Sequence, residues 1–102
     1  MIRHTVLFKL KPNVTPQVIE QIYADIIKSI DNAQGIAGMT GGSCHFTSTN
    51  DSIFSHGISI DFEDRPARDT FILNSERWAS VLKKIADITQ NGEAGLFVFD
   101  FR

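Results

Sequence analysis

The chain has 102 residues, of which 42% are hydrophobic and 22% are charged. This length is typical of one domain, spanning residues 1–102, and excludes a second domain with its own core. Ten basic residues against twelve acidic ones leave a net charge of −2. That balance provides no overall cationic field for nucleic acid or for an anionic membrane, so we expect neither as a partner.

The chain also lacks the marks of a secreted or membrane protein. Cys44 is the single cysteine, so an intramolecular disulfide is impossible, and we expect a small buried hydrophobic side chain in a reducing compartment. The first residues lack the apolar region of a signal peptide, and no apolar run approaches the ~20 residues of a membrane span. We therefore expect a cytoplasmic protein.

The first half of the chain predicts a strand, a helix and a weaker strand. Residues 2–10 alternate between apolar and polar side chains, as in a half-buried strand. Thr15 can cap a helix whose first position is Pro16, and the apolar spacing over residues 18–30 continues it. The glycine-rich residues 38–47 predict a weak second strand with a bulge or an irregular edge.

The second half predicts a loop, a strand, a broken helix and a last strand. Residues 48–55 are polar and predict a surface loop, and residues 58–62 alternate as in a strand. Residues 64–66 carry the start signals of a second helix, which we expect to break near residues 74–75 and to resume as far as residue 88. The apolar residues 96–101 predict the final strand.

The order β-α-β-β-α-β predicts an α+β fold of the ferredoxin-like type, with one four-stranded antiparallel sheet and its helices on a single face. The more apolar parity of the strands should face the helices. This leaves Leu7, Phe97 and Phe99 on the uncovered face, where they form a larger apolar patch than monomers usually expose. We expect a homodimer, a dimeric α+β barrel closed by two such sheets. The alternative is a monomer with the opposite register of the last strand.

Three segments resemble the stress-responsive A/B barrel (Dabb) family: IRHTVLFKLK at residues 2–11, IDFED at residues 60–64 and VFDF at residues 98–101. The resemblance covers essentially the whole chain and implies a homodimer of ferredoxin-like subunits. Plant members that cyclise a polyketide have an apolar pocket, where a histidine of the split second helix works with a tyrosine. The resemblance therefore also implies an apolar pocket in this chain. In this sequence Arg77 stands at that histidine position and Phe71 at that tyrosine position. The resemblance therefore implies the fold and a pocket, but no reaction.

Three polar residues are candidates for a catalytic or ligand-binding role. His4 lies on the apolar parity of the first strand, where it can serve as a base or a substrate anchor, or as a core histidine bonded to the backbone. Asp100 lies on the covered parity of the last strand and needs a cation. Alignment with the family makes Arg77 the expected partner of Asp100, either as a ligand anchor or as a structural ion pair.

The expected pocket lies between the sheet and the helices. Its expected lining residues are Val6, Phe8, Tyr23, Ile26, Ile58, Ile60, Phe71 and Trp78. We expect no metal, because His4, His45 and His56 lack ligand spacing and Cys44 should point away from His45. No glycine-rich phosphate loop is present, so we expect no cofactor.

Two functions follow from these residues. The first is a binding or stress-associated protein for a small apolar or aromatic ligand, without robust catalysis. The second is a cofactor-independent cyclase or isomerase for an aromatic or polyketide-like substrate. In this enzyme His4 would be the base and Arg77 would stabilise an oxyanion. A continuous cavity that reaches both His4 and Arg77 would favour the enzyme.

Overall fold

The computed structural model describes residues 1–31, 33–43 and 54–102. Its elements are the strands β1 (Ile2–Phe8), β2 (Ile36–Ser43), β3 (His56–Phe62) and β4 (Phe97–Phe101), and the helices α1 (Pro16–Ile30), α2 (Arg65–Asn74) and α3 (Glu76–Ile88). A short 3-10 helix, Gly92–Gly95, precedes β4. Residues 44–53 lie outside the described residues, and with them Cys44, His45, the end of the predicted second strand and most of the predicted loop.

The strands form one four-stranded sheet in the order β2-β3-β1-β4, and each neighbouring pair is antiparallel. This confirms the predicted ferredoxin-like α+β architecture. The sheet contains an irregularity between Ile36 and Gly38, where the register with β3 shifts. That irregularity agrees with the bulge expected from the glycines of the second strand.

Side-chain caps place the helix boundaries where the sequence predicts them. The Thr15 hydroxyl oxygen accepts a hydrogen bond from the backbone N–H of Val18 at 3.4 Å, and Pro16 occupies the first helical position. Ser75 separates α2 from α3, and its hydroxyl oxygen accepts from the backbone N–H of Trp78 at 3.1 Å. Because a serine favours an N-cap over a helix interior, it starts a new helix at this point and splits the predicted second helix in two.

The core lies between the helices and one face of the sheet, which we call the helix face. It is formed by Val6, Phe8, Ile22, Ile26, Ile58, Ile60, Phe62, Phe71, Trp78, Val81 and Ile85. The strand parity predicted to face the helices is therefore confirmed. Val98 lies on the same face, opposite Val6, but is 48% exposed because β4 is an edge strand.

The other face of the sheet, the open face, carries a row of aromatic rings. Phe97 is paired with Leu7 across β1 and β4, and Phe99 follows two residues later on the same parity. The ring of Phe99 lies 5.4 Å from that of Phe97 and 5.7 Å from that of Phe101. The predicted parity of the last strand is confirmed, and the opposite register is wrong.

The connection between α1 and β2 is held against α2 at Gly35. Its backbone has φ +81°, a left-handed conformation that favours glycine, and its carbonyl accepts from the backbone N–H of Glu63 at 2.8 Å. A Cβ atom at this position would lie 2.4 Å from the Cβ of Ala67 on α2. This close approach brings the end of α1 beside α2.

Candidate functional site

Adjacent strands bring His4 and Asp100 together. The two residues face each other across β1 and β4 on the helix face. His4 is only 7% exposed, and its Nδ1 lies 2.5 Å from Asp100 Oδ1. Because an ionised carboxylate only accepts hydrogen bonds, Nδ1 carries the hydrogen. The ring of Trp78 meets the His4 ring edge-on, with 6.5 Å between the centroids.

The cation that pairs with Asp100 is Arg68, which the sequence analysis did not select. Arg68 Nη1 donates to the second carboxylate oxygen of Asp100, and Arg68 Nε donates to Asp69 Oδ1 at 2.7 Å. Hydrogen bonds to Asp69 and then to Asp100 raise the pKa of Arg68 above its usual value. A sequence signal existed, because Arg68 precedes the buried Phe71 by three residues and therefore lies on the same side of the helix.

The expected ion pair between Arg77 and Asp100 is wrong. Arg77 lies in the first turn of α3, and its Nη1 donates to the backbone carbonyl of Lys28 at 3.4 Å. The break at Ser75 redirects the chain, so the start of α3 faces the end of α1. The start of α2, which carries Arg68, faces the end of β4 instead.

Arg77 and Phe71 line one cavity of about 410 Å³ between the end of α1, the α1–β2 connection and α2. The other lining residues are Ser29, Asp31, Ala33, Gln34, Ala67, Thr70, Asn74 and Ser75. A neighbouring cavity of about 470 Å³, between α1 and α3, shares Ser29, Asp31 and Arg77 with it. We call the first of these cavities the α1–α2 cleft.

The residues predicted to line a pocket under the helices mostly form the packed core. Seven of the eight are at most 5% exposed, and Tyr23 is half-buried against them. Phe71 also lines the α1–α2 cleft, so it is both a core residue and a cavity wall. The contact of the other seven with a ligand stays a prediction.

His4 and Arg77 do not meet in a shared space. His4 is absent from the lining of both cavities that Arg77 lines.

At the other end of the sheet, His56 stacks on Phe8, with 6.0 Å between the ring centroids. Burial lowers the pKa of His56 below the usual histidine value. His4 and His56 therefore form no common site, and His45 lies outside the described residues.

The described residues form neither a metal-binding cluster nor a membrane-spanning helix. No group of three or more His, Cys, Asp or Glu side chains in residues 1–31, 33–43 and 54–102 is arranged to hold a metal ion. Over the same part of the chain, no helix has the length and apolar character needed to cross a membrane.

The chain matches one protein family and is similar to several solved structures. The model of the stress responsive A/B barrel domain (Dabb) matches residues 2–102. A dimeric ferredoxin-like protein of unknown function from Jannaschia sp. CCS1 superposes with a TM-score of 0.87 at 16% identity, over 99% of this chain and 97% of that one. The Arabidopsis thaliana protein At3g17210 gives 0.83 at 15% identity, over 100% and 94% of the two chains.

An enzyme of known activity has the same fold. The hydroxynitrile lyase from Passiflora edulis superposes with a TM-score of 0.78 at 18% identity, over 98% of this chain and 90% of the lyase. No curated protein matches the chain in sequence. At these identities the structural likeness shows the fold and leaves the activity open.

Proposed function

Because the chain belongs to the stress responsive A/B barrel domain family, we propose that it binds a small ligand with an apolar or aromatic body and an anionic group. The observation that carries this proposal is the α1–α2 cleft, where Phe71 and Arg77 share about 410 Å³. This volume lies within the ~300–1,000 Å³ of most small-molecule sites. By the resemblance to the family, Arg77 and Phe71 stand at the positions of the histidine and the tyrosine that work together in the plant polyketide cyclases.

The lining of the cleft determines what it accepts. The ring of Phe71 and the side chains of Ala33 and Ala67 offer an apolar wall, and Arg77 offers a cationic fork. A guanidinium donates two parallel hydrogen bonds to a carboxylate, which fixes its orientation as well as its charge. Arg77 is exposed, and among the described residues its one hydrogen bond is a long one of 3.4 Å to the backbone carbonyl of Lys28. Most of its donors are therefore available to a ligand.

Binding without robust catalysis is better supported than the enzyme alternative. The alternative needs His4 as a base and Arg77 as an oxyanion donor on one substrate, but His4 lines neither of the two cavities that Arg77 lines. His4 is also held by Asp100 beneath Trp78. The likeness to the Passiflora edulis lyase favours an enzyme only at the level of the fold.

We also propose that the protein acts as a homodimer in the cytoplasm. The aromatic row Phe97, Phe99 and Phe101 supports the dimer, because a second copy of the sheet would cover it. Solved structures with the same fold are described as dimeric. The single cysteine supports a reducing compartment.

The ligand proposal is tested by thermal stabilisation with benzoate and with cinnamate, because a ligand that binds only the folded state raises the melting temperature by mass action. We expect Arg77→Gln to weaken the apparent affinity at least five-fold. The control Lys83→Gln, an exposed cation elsewhere on α3, should bind as the wild type does. Stabilisation that survives Arg77→Gln and disappears in His4→Gln would contradict the proposal and favour the enzyme.

A further inference from the structure

Three of the five arginines in the chain line one cavity of about 270 Å³, away from the α1–α2 cleft. It lies where the start of β1, the start of α2 and the end of β4 meet, and its lining residues are Ile2, Arg65, Arg68, Asp100, Phe101 and Arg102. We propose that this cavity, the arginine pocket, is a second binding site that takes one small oxyanion, a carboxylate or a phosphate group.

The charges of the pocket are only partly compensated by protein groups. The carboxylates of Asp69 and Asp100 both bind Arg68. Arg65 is 71% exposed and reaches Asp69 only at 3.9 Å, and Arg102 takes part in no ion pair with the described residues. Like charges around one small space repel each other, and an oxyanion between them would remove that repulsion. The chain as a whole has a net charge of −2, so its overall composition does not account for three arginines around one cavity.

The pocket contains one donor that is already oriented. Arg68 is 20% exposed and is fixed from two sides by Asp69 and Asp100. Asp100 is fixed in turn by His4. Because little side-chain freedom remains to be lost, an anion that reaches Arg68 avoids part of the entropy cost of binding.

The other cations are placed so that they can close around the anion. Arg65 is the first residue of the ten-residue helix α2, where the partial positive charge of the helix end adds to its own. Arg102 approaches from the end of β4, and Ile2 and Phe101 provide an apolar border. A guanidinium forms paired hydrogen bonds with carboxylate and phosphate alike, so both ligand classes share this chemistry. The small volume favours a single anionic group with a short body.

The arginine pocket is independent of the proposed ligand site. Arg65 and Arg68 of α2 line the pocket, whereas other residues of the same helix, among them Ala67, Thr70 and Phe71, line the α1–α2 cleft. Arg77 lines the cleft and not the pocket. An Arg77→Gln variant therefore separates the failure of one proposal from the failure of the other.

The test is an NMR titration of the arginine Nε–Hε resonances of the full chain, with inorganic phosphate in one arm and acetate in the other. Sodium chloride keeps the ionic strength constant. We expect saturable shifts at Arg65, Arg68 and Arg102, and none at Arg3, whose guanidinium is paired with Asp61. A response to phosphate alone identifies a phosphate site, and a response to acetate identifies a carboxylate site.

The variant Arg65→Gln/Arg102→Gln tests the cluster itself. Both side chains are exposed, so the fold should persist, and we expect the dissociation constant for the responding anion to rise at least ten-fold. The control Lys83→Gln, at an exposed position of α3 that lines neither cavity, should bind as the wild type does. The absence of saturable shifts in both arms would overturn the proposal, and so would unchanged binding by the double variant.

Discussion

Asp100 is the residue around which the polar side chains of the helix face are organised. Its two oxygens accept hydrogen bonds from His4 and from Arg68, which come from different elements of the fold. A carboxylate on the covered parity of a strand is costly unless it is paired, so the sequence alone indicated that a cation must be present. The identity of that cation depends on where the second helix breaks.

An Asp100→Asn substitution should destabilise the protein by about 1–2 kcal/mol, because two partly buried donors lose a charged acceptor. Urea unfolding at pH 7 measures this change from the transition midpoint and slope. Asp87→Asn, at an exposed position of α3, is the control and should be nearly neutral. Wild-type stability of Asp100→Asn would show that the negative charge of Asp100 contributes nothing to folding.

At the scale of the elements, α1 and α3 are joined on their outer surface by a polar contact. Lys84 Nζ donates to Asp25 Oδ2 at 2.9 Å, and Gln21 Nε2 donates to Asp25 Oδ1 at 3.1 Å. The hydrogen bond from Lys84, followed by that from Gln21, lowers the pKa of Asp25 below its usual value. This contact ties two helices whose apolar sides already pack together in the core.

The lowered pKa of Asp25 predicts a pH dependence of stability. A carboxylate whose folded pKa is depressed stabilises the protein above its unfolded pKa of ~3.9, and that contribution is lost as the pH falls through the folded value. We expect the wild type to lose more resistance to urea between pH 5 and pH 3 than Asp25→Asn does. Glu20→Gln, at an exposed position of the same helix, is the control. Equal losses in wild type and Asp25→Asn would contradict this prediction.

Gly35 determines how closely the α1–β2 connection approaches α2. In Gly35→Ala the new methyl group would lie 2.4 Å from the Ala67 Cβ at a backbone φ of +81°. The substitution therefore combines backbone strain with overpacking, and we expect a loss of about 2 kcal/mol or more in the free energy of unfolding. Gly38→Ala is the matched control, because no atom lies within 4 Å of its added Cβ. Similar losses in both variants would show that the close approach is unimportant.

At the scale of the whole molecule, the open face is divided into an aromatic half and a polar half. The aromatic half is the row on β4, and Phe97 is 53% exposed. In the polar half, Arg3 donates to Asp61 at 2.7 Å, and the hydroxyl oxygens of Thr5 and Ser59 are 2.9 Å apart. Because these polar groups already bind each other across β1 and β3, a second sheet could cover them without leaving their hydrogen bonds unsatisfied.

A Phe97→Glu substitution should convert the expected dimer to a monomer, because a buried carboxylate without a cation opposes association. Size-exclusion chromatography with light scattering measures the mass at micromolar concentration. Leu73→Glu is the matched control, since Leu73 is an apolar side chain that is 75% exposed on α2 and lies away from the sheet. A wild-type mass equal to one chain would contradict the dimer prediction.

Local patterns made most of the fold predictable. Period-two alternation identified the strand faces, and Thr15, Pro16 and Ser75 marked helix boundaries through interactions with residues nearby in the chain. The pairing of His4 with Asp100 was not predicted, because it depends on β1 and β4 lying side by side in the sheet. The partner of Asp100 and the position of the cavities were not predictable in this way, because they join segments far apart in sequence.

The sequence by itself determined the element order, the buried parity of β1, β3 and β4, and the aromatic row on β4, because each depends on the spacing of side chains along one segment. Only the tertiary structure decided that Arg68 reaches Asp100, that Arg77 turns toward α1, and that three arginines surround one small cavity. These facts depend on the angle at which α2 and α3 cross the sheet on either side of Ser75. That angle results from the packing of the whole core, which no local spacing encodes.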